Sequence, residues 1–114
     1  MQISNCVFCR IVTGEIPAAI IAERPTCVAF RDIAPQAPVH VLIIPRVHAS
    51  SLNEVSAQPV LADLLALARD VAAQEGVAES GYRVVVNTND HAGQTVAHLH
   101  LHVLGGRALH WPPG

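Results

Sequence analysis

Ala97-His98-Leu99-His100-Leu101-His102-Val103-Leu104 carries three of the seven histidines in this chain. Histidines alternate with Leu, Leu and Val, and strict alternation through so apolar a run predicts a β-strand from Ala97 to Leu104. Side chains two apart on a strand share a face, so the pattern puts His98, His100 and His102 on one side and Leu99, Leu101 and Val103 on the other. At a rise of about 3.3 Å per residue, neighbouring histidines stand roughly 6–7 Å apart, close enough to line one phosphate-sized site. A lone buried histidine is ordinarily a hydrogen-bonded core residue. Three on one face point either to a metal site or to catalysis on an anionic substrate. Imidazole titrates near neutrality and serves as nucleophile, base or acid, which favours catalysis.

The segments around this strand predict a sheet. Gly81 to Asn87, centred on Val84-Val85-Val86, reads as a strand that forms a hairpin with the histidine strand. Between them, Thr88 to Gln94 is a polar loop whose Gly93 region can offer backbone N–H groups to an oxyanion. His40-Val41-Leu42-Ile43-Ile44 reads as a buried strand ended by Pro45, and Pro35 and Pro38 stiffen its approach. Taken alone, His40 at its head is a hydrogen-bonded residue and His48 beyond it a surface residue. Ile20 to Glu23 and Cys27 to Arg31 read as strands joined at Arg24-Pro25-Thr26. Asp32 then stands either as a turn residue or as a carboxylate for ribose hydroxyls.

Two helices are expected. From Pro59 to Glu75 the pattern is helical, with Pro59 suited to a first turn and Gly76 to a C-terminal stop. Val60, Leu64, Leu67 and Val71 mark one face, flanked by Leu61, Leu65, Ala68 and Ala72. That arc is wider than one sheet contact needs, which predicts a partner helix on its other side. Cys6-Val7-Phe8-Cys9 opens a short helix through Val12. The pair reads as half a zinc site or as two buried thiols; without a βαβ unit around it, redox chemistry is disfavoured.

Composition sets outer bounds. The 114 residues suit one domain. Hydrophobic residues make up 51% and charged ones only 14%, which predicts surface buried against a second copy. A net charge of −2 gives no basic field for long nucleic acids, and no run of about 18 apolar residues offers a membrane span. Met1 to Asn5 carries no signal-peptide pattern, so a cytoplasmic location is expected. An odd cysteine count argues against a disulfide framework. Trp111, in a Pro/Gly-rich tail, reads as a docking anchor.

His98-Leu99-His100-Leu101-His102-Val103-Leu104 resembles the signature of the histidine triad superfamily. Asp32-Ile33-Ala34-Pro35-Gln36-Ala37-Pro38-Val39-His40 is similar to the second signature of its Hint branch, the purine nucleoside phosphoramidases. Asn87 with Gly93-Gln94-Thr95-Val96 resembles the branch's phosphate loop. Gly105-Gly106-Arg107 and His110-Trp111-Pro112-Pro113-Gly114 resemble its carboxyl terminus. The resemblance covers nearly the whole chain, residues 1–114 as one domain. It implies an α+β fold: a five-stranded antiparallel sheet with one long and one short helix, dimerising to a ten-stranded sheet.

The implied reaction is hydrolysis of adenosine 5′-phosphoramidates to AMP and an amine through a nucleotidyl-histidine, with no cofactor needed for the chemistry. By the resemblance His100 is the nucleophile, His98 and His102 flank the phosphoryl oxygens, and His40 fixes ring orientation and charge. Asn87 and the backbone from Gly93 to Thr95 hold the phosphate, and Gln94 and Thr95 lie on the leaving-group side. Asp32 takes the ribose hydroxyls. Val7, Phe8, Ile11, Ile16, Phe30, Ile33 and Leu42 enclose the purine, and Trp111 reaches the partner's site. Some bacterial relatives resemble this chain in pairing Cys-x-x-Cys with a loop histidine and the first triad histidine; here Cys6, Cys9, His48 and His98 form a Cys2His2 set complete for structural zinc. The chain departs from the branch at Thr95, where Ser is usual, and at Asn89 and His91 in the loop. A dinucleoside polyphosphate hydrolase and a non-catalytic nucleotide-binding module are the alternative functions.

Overall fold

Side chains alternate between two packed clusters, one on each face of a single sheet. A computed structural model describes Ile3 and residues 5–114. Its strands are β1 (Ile20–Glu23), β2 (Cys27–Arg31), β3 (Val39–Pro45), β4 (Tyr82–Val86) and β5 (Leu101–Gly105). They form a five-stranded sheet in the order β1-β2-β3-β5-β4, antiparallel at every pair. Helix α1 spans Val7–Val12 and α2 spans Gln58–Gln74. This is an α+β fold, with strands and helices within a few residues of the expected bounds. No helix among the described residues is long and apolar enough to cross a membrane.

One face of the sheet is covered by α2. Cys27, Ala29, Val41, Ile43, Leu101 and Val103 point towards Leu64, Leu67, Ala68, Val71 and Ala72 of the helix. Leu64, Leu67 and Val71 are almost wholly buried, each worth roughly 1.5–3 kcal/mol, so packing more than propensity holds the helix. Pro59 lies in its first turn, and Gly76 just beyond its end takes φ +76°, which only glycine adopts cheaply. Leu65 on the opposite side remains 59% exposed.

The other face carries α1. Val28, Phe30, Leu42 and Ile44 pack with Phe8, Cys9 and Ile11. The Cys6 Sγ accepts from the Cys9 N–H and caps this helix. Strand register places His40 and His102 on the same face: Leu42 stands opposite His102, and His40 opposite Leu104. The two histidines are therefore diagonal neighbours, near enough for rings to meet.

The histidine strand is shorter than its alternation predicts. β5 begins at Leu101, where pairing to both Ile43 and Val86 also begins. Upstream there is no ladder on either side among the described residues: the Leu99 N–H donates to Ala49 O at 2.7 Å, in the loop after β3. The His98 carbonyl accepts from the His100 ring at 2.8 Å instead of from a neighbouring strand. The faces still alternate: Leu99, Leu101 and Val103 join the α2 side, while His98 and His100 both meet Phe8 and His102 meets His100 on the other.

Candidate active site and metal cluster

Between α1, the β2–β3 face and the loop before β5 lies a cavity of about 360 Å³. Val7, Phe8 and Ile11 of α1 and Ile16 beyond it form one wall; Phe30 and Leu42 of the sheet form the floor; Asp32 and Ile33 form a rim. Thr95, His100 and His102 close the remaining side. Phe8 sets its ring edge-on to His100 at 5.2 Å and to His98 at 5.7 Å, so one side chain packs both. Ile33 is fully exposed at the mouth, and Asp32 Oδ1 accepts from the Ala34 N–H at 2.8 Å. Asp32 thus takes its turn role while also facing the cavity.

The histidine rings are fixed by groups that can only donate or only accept, which assigns their tautomers. His98 Nε2 lies 3.0 Å from Pro45 O and therefore donates to it, leaving Nδ1 a lone pair. His100 Nδ1 donates to His98 O at 2.8 Å, leaving the Nε2 lone pair with no protein partner among the described residues. His40 Nδ1 accepts from the Gln36 N–H at 3.0 Å. His40 Nε2 then carries the hydrogen and donates to His102 Nδ1 at 2.9 Å. His102 is left with an Nε2–H and a place on the cavity wall.

Burial pushes the His40 imidazole below its ordinary range, against the pull of the Asp32 carboxylate. Burial, followed by the neighbouring His100 and His40, pushes His102 down to about 4.

His98 belongs to a different cluster. Its ring is fully buried, and its Nδ1 lies 3.3 Å from Cys6 Sγ, 3.6 Å from Cys9 Sγ and 3.2 Å from His48 Nδ1. Cys9 Sγ lies 3.3 Å from His48 Nδ1. Zinc bonds of about 2.0–2.1 Å to nitrogen and 2.3 Å to sulfur imply tetrahedral edges of about 3.3 Å between nitrogens and 3.5 Å between nitrogen and sulfur. The four separations above fall near those edges, and all four donor atoms lie within 4.8 Å of one another. The Cys9 N–H and Ile3 N–H point at the two sulfurs, and Pro45 O orients His98, outer contacts that suit a metal-binding set. By contrast, the 2.9 Å between His40 and His102 is shorter than such an edge and fits a shared hydrogen.

Several expected residues lie elsewhere. Asn87 sits half-buried just past β4, away from the cavity wall. The Gly93 N–H donates to Asp90 O and the Gln94 N–H to Asn89 O, so neither is offered to a phosphate. Gln94 is held by its loop, donating to Ser50 O at 2.7 Å and Val96 O at 2.9 Å while accepting from the Asn89 N–H at 2.9 Å. Trp111 is 80% exposed and outside the cavity of its own chain. Pro17, Ala18, Arg31 and Val96 also line the cavity without having been singled out. Pro17, Arg31 and Val96 each lie next to a named site residue, and Ala18 lies two positions beyond Ile16; Arg31, between Phe30 and Asp32, also pairs to Glu75 at 2.6 Å.

A family model described as the HIT domain matches residues 13–109. The chain belongs to the HIT family. It is 48% identical over 105 residues to a purine nucleoside phosphoramidase of Escherichia coli K12, covering 90% of this chain and 88% of that protein. An HIT-like protein of Synechococcus elongatus is 54% identical over 112 residues, covering 96% and 97% of the two chains. Among solved structures, an HIT family hydrolase of Legionella pneumophila superposes with TM-score 0.93 at 51% identity, covering 96% of this chain and 100% of that one. A Zn-bound histidine triad family protein of Mycobacterium smegmatis superposes with TM-score 0.82 at 34% identity, covering 90% and 76%. Likeness to these hydrolases supports hydrolase chemistry for this HIT chain.

Proposed function

We propose that this chain hydrolyses purine nucleoside 5′-phosphoramidates to a nucleoside monophosphate and an amine, with His100 as nucleophile. The observation that carries the reading is the free Nε2 lone pair of His100 on the wall of an apolar cavity whose rim holds Asp32. A cavity of about 360 Å³ falls within the range for small-molecule sites, roughly 300–1,000 Å³. The phosphoramidase likeness supplies the substrate class.

In this reading His100 Nε2 attacks the phosphorus; an N–P bond forms, the bond to the departing nitrogen breaks, and that nitrogen takes a proton from solvent, which the later attack of water returns. Water then attacks phosphorus and releases His100. Net, one water is consumed, its hydrogen going to the amine and its oxygen to phosphorus. His102 Nε2–H donates to a phosphoryl oxygen, Asp32 accepts from the ribose hydroxyls, and the apolar walls hold the base. Splitting one displacement into two easier ones is the advantage of the covalent step, and fixed donors aimed at the phosphoryl group supply the rest.

Two assembly features go with the reading. Cys6, Cys9, His48 and His98 hold a structural zinc, and His98 acts there and not on the phosphate. Two copies pair along the open edge of β4, covering the exposed side of α2 around Leu65. Trp111 then lies within reach of the partner's cavity.

The deciding experiment is turnover of an adenosine 5′-phosphoramidate carrying a fluorescent amine, by wild type and His100→Ala, with a diadenosine polyphosphate assayed in parallel. Turnover by wild type that is lost in the variant, while AMP still binds, is expected. Preference for the polyphosphate, or AMP binding without turnover of either compound, overturns the reading.

A further inference from the structure

Arg107 stands outside the cavity, yet two of its guanidinium nitrogens converge on one carbonyl. Nε and Nη2 both donate to Gln36 O, at 3.2 and 2.9 Å, and Nη1 donates to Ala108 O at 3.0 Å. A two-pronged grip uses the planar fork that distinguishes arginine from lysine.

The gripped segment needs an outside hold. Residues 33–38 belong to no strand, and Pro35 and Pro38 bring no N–H of their own. The tail closes on this segment through Gly106, at φ +89°, where an added Cβ would lie 2.9 Å from Pro38 Cβ. Gln36 is then tied on both sides. Its carbonyl receives Arg107, and its N–H donates to His40 Nδ1 at 3.0 Å. From there the sequence of donors runs to His40 Nε2–H, His102 Nδ1 at 2.9 Å and the His102 Nε2–H on the cavity wall. The groups facing His40 are the Gln36 N–H at Nδ1, with His102 and the Asp32 carboxylate, at 3.3 Å, on Nε2.

We infer that Arg107 is a positioning residue: by holding Gln36 it keeps an N–H on His40 Nδ1, and so keeps His102 a neutral donor towards the cavity. The kinetic half of the inference rests on the phosphoramidase reading; the ring state does not. Without the grip, Gln36 N–H drifts from Nδ1, that nitrogen becomes free to take a proton beside Asp32, and the orientation of His102 is lost.

The test is the ¹⁵N shift of the His40 and His102 rings near the ordinary histidine pKa, about pH 6.5, for full-length wild type, Arg107→Ala and Arg107→Lys, without substrate. Wild type is expected to show an unprotonated Nδ1 and a protonated Nε2 at both rings. Arg107→Ala is expected to gain a proton at His40 Nδ1, with Arg107→Lys between the two. Turnover should fall about 10–100-fold in kcat with KM within about threefold, the scale of losing a group that orients a reacting one. Should Arg107→Ala fail to fold, Gln36→Pro removes the same N–H without touching the tail, and the same His40 signature is expected. Wild-type shifts at both rings in the folded variants overturn the inference, even if kcat falls, because Arg107 would then act only on the tail. If wild type itself shows no turnover, the phosphoramidase reading fails and the ring shifts alone decide the role of Arg107.

Discussion

His40 Nε2 stands 2.9 Å from His102 Nδ1, while His40 Nδ1 is filled by the Gln36 N–H. The pair is saturated with hydrogens while neutral: adding a proton requires breaking one of these bonds. At His102 this adds to burial in disfavouring the proton, whereas at His40 the Asp32 carboxylate pulls the other way. His102 accordingly serves as a hydrogen-bond donor to a phosphoryl oxygen. His40→Ala removes the donor that fixes its tautomer. We expect kcat to fall about 10–100-fold, with AMP affinity changed far less, as when a group orienting a reacting residue is lost. Steady-state turnover with AMP titration checks this; equal losses in both would show that His40 shapes the binding site instead.

The same pair makes stability depend on pH. The folded His102 titrates at about 4, whereas an unfolded histidine titrates near 6.5. Between those values the unfolded chain binds the extra proton, so stability falls as pH drops from about 6.5 to about 4 and levels off below. The loss amounts to roughly 3 kcal/mol for this group. Denaturant unfolding at several pH values should show a smaller acid loss in His102→Gln than in wild type, because carboxylate contributions cancel between them. Parallel curves for the two proteins would contradict it.

The thiol–imidazole cluster predicts metal content. Protein purified without added zinc should carry about one zinc per chain. Cys9→Ser should lose it and melt lower by more than about 5 °C, since zinc binding energy is folding energy. Metal analysis beside thermal unfolding reads both. Far less than one zinc per wild-type chain would sink the assignment, and the cluster would stand as two buried thiols beside two histidines.

Much of the fold was legible because its punctuation is local. Pro59 and Gly76 bound α2, Pro45 ends β3, and alternation separates Val28, Phe30, Leu42 and Ile44 from Ala29, Val41 and Ile43. Alternation failed at Ala97 to His100 because it reports which face a side chain takes and not whether a partner strand is there. His98 keeps the expected face but meets Cys6, Cys9 and His48 there, none of them local to it in sequence. Likewise, a polar loop around Gly93 announces spare N–H groups, yet a 3₁₀ turn over Asp90–Ala92 helps use them internally. Arg107 stands within the quoted Gly105-Gly106-Arg107 match, yet nothing in the sequence names Gln36 as its partner; only the folded loops bring the two together.

Gly106 offers a sharp steric test. Gly14 and Gly106 take similar left-handed angles, φ +84° and +89°. An added Cβ at Gly14 meets nothing within 4 Å, whereas at Gly106 it falls 2.9 Å from Pro38 Cβ and 3.3 Å from Pro38 Cγ. Gly14→Ala should therefore cost only the backbone penalty, about 1–2 kcal/mol. Gly106→Ala adds overlap with a ring that cannot rotate away, for about 2–4 kcal/mol in all. Unfolding of both variants in denaturant measures the difference directly. Equal losses would mean that the 33–38 loop shifts freely under the tail, and a loop that moves so easily could not hold Gln36 against His40.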